Sequence, residues 1–570
     1  MSLMNKKEKF PTTFSSVPIA DIPENVSEIL NKYGTYEIQP TADTENKYPA
    51  IAQGLSKKTK KICTYLSKIY KKSFLKLRKI YIMQISKINF DDHTIRELFG
   101  FEDAESENPN RLKEYFLKKD TYERVAADLP LRILVGHKGT GKSALFRVAM
   151  SEEEDKGNLP ILIKPDDVAE IGLEQMDFLS RVRKWKQGLL KIIGEKVFEV
   201  FGINDKNKLI NLSNSGLKIL SFLVDTIKDF GEHLDLSMSQ NQLMRNFLDK
   251  KKIVVYIDDL DRGWEGRKED VIRISTLLTA IRDLSSENTG LLFKITLRAD
   301  VYYLVRTADE STDKIEGSVV WCKWTNHEIL AMLVKRILTY FKQDADTELL
   351  IKSKQFHLSI YLDPIFERKF EGRGKWRDTY TYKVLMSLIR KRPRDLVKIC
   401  ALAAQQAKLT NSSKIKTEHL QMIFEEYSQG RIQDTINEYK SELPDIEYLL
   451  LGMKPSHKEK KDDKGFVYTT SELKRKLTNL QGNHIFTFKN GKIATPATLM
   501  QFLYKINFIT ARKEVESDVI QRVYFEENRY LSSNFVDYGY DWEVHPAFRW
   551  ALQPDNPQNV FDKLSNYDEG

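Results

Sequence analysis

One short string constrains this 570-residue chain more than any other. Residues 136–143 read GHKGTGKS, which fits the pattern GxxxxGK[ST]. The apolar run LRILV (131–135) before it predicts a buried strand, and SALFRVAM after it predicts a helix. In such a unit the glycines let main-chain N–H groups surround a phosphate, and the amino terminus of the helix adds a positive dipole. The string therefore predicts a phosphate-binding loop.

The loop predicts a role for each residue type. Lys142 is expected to reach the β- and γ-phosphates of a nucleotide, and the Ser143 hydroxyl is expected to bind Mg²⁺. His137 and Lys138 occupy variable positions of the pattern and receive no role. The predicted nucleotide-binding residues are Gly136, Gly139, Thr140, Gly141, Lys142, Ser143 and Ala144.

A second apolar run carries acidic residues at its end. Residues 253–257 (IVVYI) predict a buried parallel strand, and Asp258 and Asp259 follow it, where ligand sites of α/β sheets lie. We expect Asp258 to bind Mg²⁺ and Asp259 to orient or deprotonate the attacking water.

Strands and helices alternate in this part of the sequence. Further predicted strands are 160–164 and 291–297, and residues 111–130, 178–201 and 214–230 carry helical patterns. The aromatic residues of the last two patterns are expected in the core. This alternation predicts an α/β core with a parallel sheet and flanking helices.

After residue 320 no further strand is predicted for about 100 residues. Thr325 or Asn326 is expected to cap a helix, and Pro393 to begin another that ends near Lys408. Residues 469–478 and 495–509 predict two helices, and 519–527 and 538–546 predict two strands of one hairpin. Helices followed by a hairpin are typical of a winged helix. Residues 465–550 carry 11 Lys and Arg against 9 Asp and Glu, so DNA binding and protein contact both stay open.

These patterns divide the chain into five parts. The predicted domains are an N-terminal arm (1–50), a basic helical segment and lead-in (51–125), the phosphate-binding core (126–320), an α-helical lid (321–430) and a mixed α/β, winged-helix-like domain (431–570).

The positive charge is local. The chain has 90 Lys and Arg against 81 Asp and Glu, but residues 57–87 hold 11 of these cations and no acid. Apolar residues recur in that segment at helical spacing, which predicts an amphipathic helix with a cationic face. The face could be a solvated surface, a contact for nucleic-acid phosphates or a contact for a membrane surface.

The location of the protein is predicted from features that the sequence lacks. It has no run of 18 apolar residues, and its first residues do not read as a signal peptide. Its three cysteines form no CxxC pair, which argues against a disulfide framework or structural zinc. We therefore predict a cytoplasmic protein that is not inserted in a membrane.

Together, GHKGTGKS and the string IDDLDR (257–262) resemble the P-loop ATPases of the AAA+, STAND and KAP group. IDDLDR is particularly similar to the acidic motif of KAP-type ATPases. DAESE (103–107) and YF (115–116) resemble a bacterial subgroup of such ATPases. The resemblance covers about residues 100–425 well.

The resemblance implies roles for three arginines. Arg298 ends a strand similar to the STAND sensor strand, whose arginine reads the γ-phosphate, and Arg394 resembles the second sensor. Their alternatives are a surface salt bridge for Arg298 and a helix-start charge near Asp395 for Arg394. Arg262 could be a finger supplied to a neighbouring subunit or a partner of Asp261. The predicted catalytic residues are Asp259, Arg298 and Arg394.

The implied function is an ATPase that uses ATP and Mg²⁺ and couples nucleotide state to lid movement. Partners implied are further copies of the chain in a homo-oligomer, an effector protein or nucleic acid, in bacterial defence or DNA transactions. Asp259 stands where a longer Glu is expected, which predicts slow hydrolysis. A nucleotide-gated switch without turnover and a DNA-binding regulator stay open as alternatives.

Overall fold

The computed structural model describes residues 88–553, apart from 172–175, 203–218, 232–237, 309, 344, 373, 457–458, 460–464, 517–518 and 533–538, together with residue 560. The predicted N-terminal arm (1–50) and basic segment (57–87) lie outside these residues. Among the described helices, none is long and apolar enough to cross a membrane.

A parallel sheet of five strands forms the centre of the fold. The strands are β1 Leu131–Gly136, β2 Leu159–Ile163, β3 Ile253–Ile257, β4 Leu291–Arg298 and β5 Val319–Trp321. They lie in the order β2-β3-β4-β1-β5, and every neighbouring pair is parallel. Apolar clusters cover both faces, as continuous apolar strands require. The predicted parallel sheet is confirmed, and β5 is an additional strand that was not predicted.

The register brings the expected site together. Gly136 at the end of β1 lies beside Arg298 of β4, and Ile257 at the end of β3 lies beside Ile295 of β4. Because β4 separates β1 from β3, its end lies between the loop and the acidic pair.

Nine helices among the described residues precede or flank the sheet. They are α1 Asp92–Phe99, α2 Pro109–Tyr115, α3 Asp120–Ala126, α4 Lys142–Asp155, α5 Phe178–Val200, α6 Ile219–Gly231, α7 Met238–Lys250, α8 Lys268–Glu287 and α9 Ala299–Ala308. Trp185 and Phe198 of α5 lie in the core, as predicted, whereas the prediction is wrong for Phe178, which is exposed at the start of the helix. The single helix predicted over 111–130 is wrong. The backbone becomes extended at Phe116, whose ring packs edge-on against Tyr122 of the next helix.

The next part is mainly helical. Its helices are α10 Asn326–Tyr340, α11 Thr347–Lys352, α12 Gln355–Ser359, α13 Thr381–Leu388, α14 Pro393–Leu409, α15 Thr417–Tyr439 and α16 Ile446–Gly452. Thr325 caps α10 in a capping box with Glu328, and Pro393 begins α14 as predicted. Two short strands, β6 Lys369–Phe370 and β7 Thr379–Tyr380, pair with each other, so the prediction of no strand here is wrong. Strands of two residues are too short to show the alternation of apolar and polar residues by which a strand is predicted.

The C-terminal part combines three helices with a second sheet. Its elements are β8 Val467–Tyr468, α17 Thr470–Asn483, α18 Pro496–Lys505, β9 Ile509–Glu516, β10 Val519–Val523, β11 Asp541–Val544 and α19 Arg549–Leu552. The sheet order is β10-β9-β11-β8.

Two predictions fail in this C-terminal part. The helix predicted to 509 ends at Lys505, because Asn507 adopts a positive φ of 56° and reverses the chain into β9. β10 and β11 each pair with β9 rather than with each other as the predicted hairpin, since β9 lies between them.

Candidate nucleotide site

The loop between β1 and α4 has the backbone that its glycines allow. Gly139 and Gly141 have φ values of 83° and 87°, in the left-handed region. A Cβ on Gly139 would lie 3.0 Å from the Cβ of Arg394, and a Cβ on Gly136 would lie 2.9 Å from the Thr140 hydroxyl. The left-handed backbone therefore favours glycine at both positions. At Gly139 the nearby Arg394 side chain also leaves little room for a Cβ atom.

The polar side chains at the start of α4 face this loop. The Lys142 ammonium donates to the carbonyls of Gly136 and His137 at 3.0 and 3.1 Å. Ser143 is half-buried, and among the described residues its hydroxyl has no hydrogen-bond partner. The first N–H groups of the 14-residue α4 lack partners within the helix. A cation, a hydroxyl and a helix terminus thus meet at the loop, while Ala144 follows as the next helical residue.

The loop is fixed from the side of β5. The Thr140 carbonyl accepts an N–H from the Trp324 indole at 2.8 Å and the Cys322 thiol at 3.4 Å. The Thr140 hydroxyl donates to the His137 carbonyl at 2.8 Å. Sequence analysis did not single out Trp324, because its contact forms only once β5 pairs with β1.

The acidic pair lies beside β4. The Asp258 carboxylate accepts the Thr296 hydroxyl and the Asp259 N–H, the latter at 3.0 Å. Asp259 has a positive φ of 55°, and although the residue as a whole is exposed, neighbouring residues partly enclose its carboxyl group. Partial burial and the adjacent Asp258 charge raise the pKa of Asp259, while Lys142 and Arg262 oppose that rise. The structure therefore places the loop lysine within electrostatic reach of Asp259.

Arg298 is held by ion pairs. Its guanidinium contacts Asp300 at 3.0 Å and Asp261 at 3.3 Å and donates to the Glu438 carbonyl at 2.9 Å. Although burial disfavours the charged form, these carboxylates hold the pKa of Arg298 above its ordinary value. Arg298 therefore does form salt bridges, although it is less exposed than the surface salt bridge of that alternative. Its role at the γ-phosphate stays a prediction. Asp261 pairs with Arg298, and the exposed Arg262 has no side-chain partner among the described residues.

Arg394 lies directly over the loop. Its main-chain N–H donates to the Gly139 carbonyl at 3.3 Å, and its guanidinium donates to the Glu102 carbonyl at 3.0 Å. Asp395 pairs instead with Arg390 at 2.8 Å and with Arg431 at 2.6 Å. Among the described residues, Arg394 therefore makes no ion pair with Asp395, so the structure does not support the alternative of a charge near Asp395.

Sequence analysis missed contacts between the loop and distant segments. The Lys138 main-chain N–H donates to the Glu438 carboxylate at 3.2 Å. The two ring nitrogens of His137, which is buried, contact the Tyr439 hydroxyl at 2.9 Å and the Glu526 carboxylate. No sequence signal could have found them, because the partners are 300 to 389 residues away.

Glu438 joins several of these groups. Its second oxygen accepts the Arg392 guanidinium at 2.8 Å, and both side chains are buried. Burial favours the neutral acid, but Arg392 and His137 hold the pKa of Glu438 well below its usual range. The end of α15 thus presents a carboxylate to the phosphate loop.

The chain supplies oxygen atoms suited to a hard cation. Among the described residues, no group of three or more His, Cys, Asp or Glu side chains could hold a metal. Ser143 and Asp258 offer a hydroxyl and a carboxylate, and Mg²⁺ commonly completes its shell with phosphate and water oxygens. These residues fit a metal bound together with a nucleotide.

Comparisons with known proteins find similarity over parts of the chain. A family model of the FunZ-associated C-terminal helical domain matches residues 327–436, from α10 into α15. Over 515 residues the chain is 23% identical to the 80.3 kDa protein assigned to transposon gamma-delta in Escherichia coli (strain K12), covering 81% of this chain and 69% of that protein.

Two solved structures are similar in part. The Walker-type ATPase paby2304 of Pyrococcus abyssi has 13% identity and a TM-score of 0.37, covering 77% of this chain and 96% of its own. The Aeropyrum pernix ORC2 protein, solved as ADPNP-ADP complexes, has 11% identity and a TM-score of 0.35, covering 79% and 92%. These similarities are too weak to define the fold, which the observed sheet order defines.

Proposed function

We propose that this chain is a Mg²⁺-dependent ATPase that binds and hydrolyses ATP at the loop 136–143. The observation that carries this proposal is the meeting of that loop with Asp258 and Asp259 at one edge of the parallel sheet. Parallel sheets bind ligands at this edge.

Different residues of the chain bind the phosphates, hold the metal and act on the attacking water. The loop amides and Lys142 bind the phosphates, and Ser143 and Asp258 would hold Mg²⁺, which neutralises phosphate charge. Asp259 orients the attacking water and accepts its proton. Arg394, which lies over Gly139, stabilises charge on the γ-phosphate, and Arg298 joins it by exchanging part of its ion pairing.

The contacts of Glu438 and Glu526 favour a second function, a nucleotide-gated switch with negligible turnover. Both carboxylates reach the loop from outside the core, so phosphates that enter the loop compete with Glu438 for the Lys138 amide. In this function the output is a changed interface rather than hydrolysis.

We further propose that the helices from α10 to α15 act as the lid and that the C-terminal part is winged-helix-like. The transposon origin of the Escherichia coli relative favours a role in DNA transactions over defence. Because the charges of the C-terminal part are nearly balanced, we propose three kinds of partner: an effector protein, DNA and further copies of the chain. We propose that the protein acts in the cytoplasm.

Phosphate release from Mg²⁺-ATP tests the proposal, with wild type compared with Asp259→Asn. The matched control is Asp249→Asn, an exposed carboxylate at the end of α7. Turnover that falls only in Asp259→Asn, with ATP still bound, supports the ATPase. Tight ATP binding without wild-type turnover supports the switch. Absence of ATP binding, together with salt-dependent DNA affinity, would leave the DNA-binding regulator.

A further inference from the structure

A cavity opens at the amino end of the parallel sheet, opposite the phosphate loop. It has a volume of about 430 Å³ and lies between the ends of α3 and α4 and the beginnings of β3 and β4. Lys252, which lines it, directly precedes β3, whereas Asp258 follows the same strand. The two sites therefore lie at opposite ends of β3.

Cations outnumber anions in this cavity. Its lining includes Lys156, Lys250, Lys252 and Lys294 but only two carboxylates, Asp128 and Glu153. Lys156 pairs with Glu153 at 3.1 Å, and Lys252 pairs with Asp128.

The other two lysines have no carboxylate partner among the described residues. Lys250 contacts the carbonyl of Lys156, and Lys294 donates to the Ala127 carbonyl at 2.6 Å. Two positive charges are thus left without a counter-charge.

Lys294 is the lysine most affected by this excess of positive charge. It lies within β4 and is only 2% exposed, so its ammonium forms the floor of the cavity. Burial, and then the charge of Arg132, lower its pKa to about 8, although Glu153 and Asp128 act in the opposite direction. A buried ammonium is stabilised by a bound anion.

We propose that this cavity is a second ligand site, which binds a small phosphorylated molecule through Lys250, Lys252 and Lys294. Each ammonium has three N–H donors, of which the described contacts use one or two. Charge-assisted bonds to phosphate oxygens use the others. The volume falls within the range of small-molecule sites.

The geometry favours a small molecule over a nucleic acid. Lys294 is too deeply buried for the backbone of a duplex, which would reach only the exposed lysines at the rim. A ligand that neutralises Lys294 must enter the cavity.

Calorimetric titration of the full chain with pyrophosphate tests this site. The Lys142→Ala background removes the main cation of the phosphate loop. We expect one pyrophosphate site to remain there and its affinity to fall about tenfold on adding Lys252→Gln, the loss of one charge-assisted bond. The matched control is Lys251→Gln, since Lys251 is the exposed neighbour and does not line the cavity.

Lys294→Met provides a second variant, which should also weaken pyrophosphate binding, and its melting temperature reports whether it folds. No pyrophosphate binding in the Lys142→Ala background, or equal weakening by Lys251→Gln and Lys252→Gln, would overturn the proposal. So would binding of a DNA duplex that depends on Lys252 without pyrophosphate binding. ATP binding by the wild type is measured separately, so failure of the ATPase proposal leaves this test readable.

Discussion

The two ends of the parallel sheet, at each of which we propose a phosphate site, differ in the groups that they offer to a ligand. At the carboxyl end, the main chain of Gly139 and Gly141 shapes the site and Lys142 adds one cation. At the amino end, several lysine side chains surround a cavity.

The two ends also differ in what covers them. The loop contacts Trp324, Glu438 and Glu526, which come from segments outside the core, whereas residues 126–294 alone line the cavity. The comparison teaches that segments outside the core contact the first site directly, whereas none of the residues that line the second comes from them.

The largest expected effect is on stability at the carboxyl end. Glu438→Ala leaves the buried Arg392 without its carboxylate and should lower the free energy of unfolding by about 3–5 kcal/mol. Urea unfolding followed by circular dichroism measures this. Glu426→Ala, an exposed change on the same helix, and Lys252→Gln at the amino end should each stay within about 0.5 kcal/mol. Equal losses in all three variants would remove the contrast between the two ends.

The next effect is on nucleotide affinity. Lys142→Ala should weaken ATP binding about 100-fold, since charge-assisted contacts contribute up to about 3 kcal/mol. The melting temperature should not change, because Lys142 bonds only two loop carbonyls. Titration with a fluorescent ATP analogue measures the affinity, and Lys138→Ala is the exposed control in the same loop. Unchanged affinity in Lys142→Ala would show that the assigned loop is wrong.

A smaller effect separates the two aspartates. Asp258→Ala should raise the Mg²⁺ concentration needed for ATP binding by about tenfold, the loss of one charged ligand. Asp259→Asn should bind Mg²⁺-ATP like the wild type, since we propose that Asp259 acts on water. ATP titrations at a series of Mg²⁺ concentrations measure both. If both variants lose nucleotide binding equally, the proposed division of roles fails.

The last effect concerns stability and is confined to acid pH. Burial opposes ionisation of Glu526, yet His137 and Asn507 hold its pKa at about 2 against an ordinary 4.5. Its charge therefore stabilises the fold above pH 4.5, and this contribution is lost as the pH falls from 4.5 to 2.

Glu526→Gln should remove that loss, which the shift of the Glu526 pKa from 4.5 to about 2 limits to about 3 kcal/mol. Thermal unfolding across this pH range measures the difference, with the exposed Glu425→Gln as control. Identical profiles for wild type and Glu526→Gln would contradict the role of the His137 contact.

Much of the sheet and part of the site could be predicted because their signals are local. Residues 131–143 combine an apolar strand, a glycine-containing loop and a helix start in one short stretch, and 253–259 combine a strand with its acidic end. The short strands could not be predicted in this way. β5 has three residues and forms only because β1 offers it an edge, as Ile133 beside Val319 shows.

The sequence by itself therefore determined the phosphate loop, the acidic pair and the parallel strands that hold them, since each depends on neighbouring residues and on periodicity. Only the tertiary structure decided the place of β9 between β10 and β11, the contacts of His137 with Tyr439 and Glu526, and the lysine-lined cavity. Each of these joins residues far apart in the chain. Pairing, burial and charge balance between such residues depend on distances in the folded chain, and no local pattern carries them.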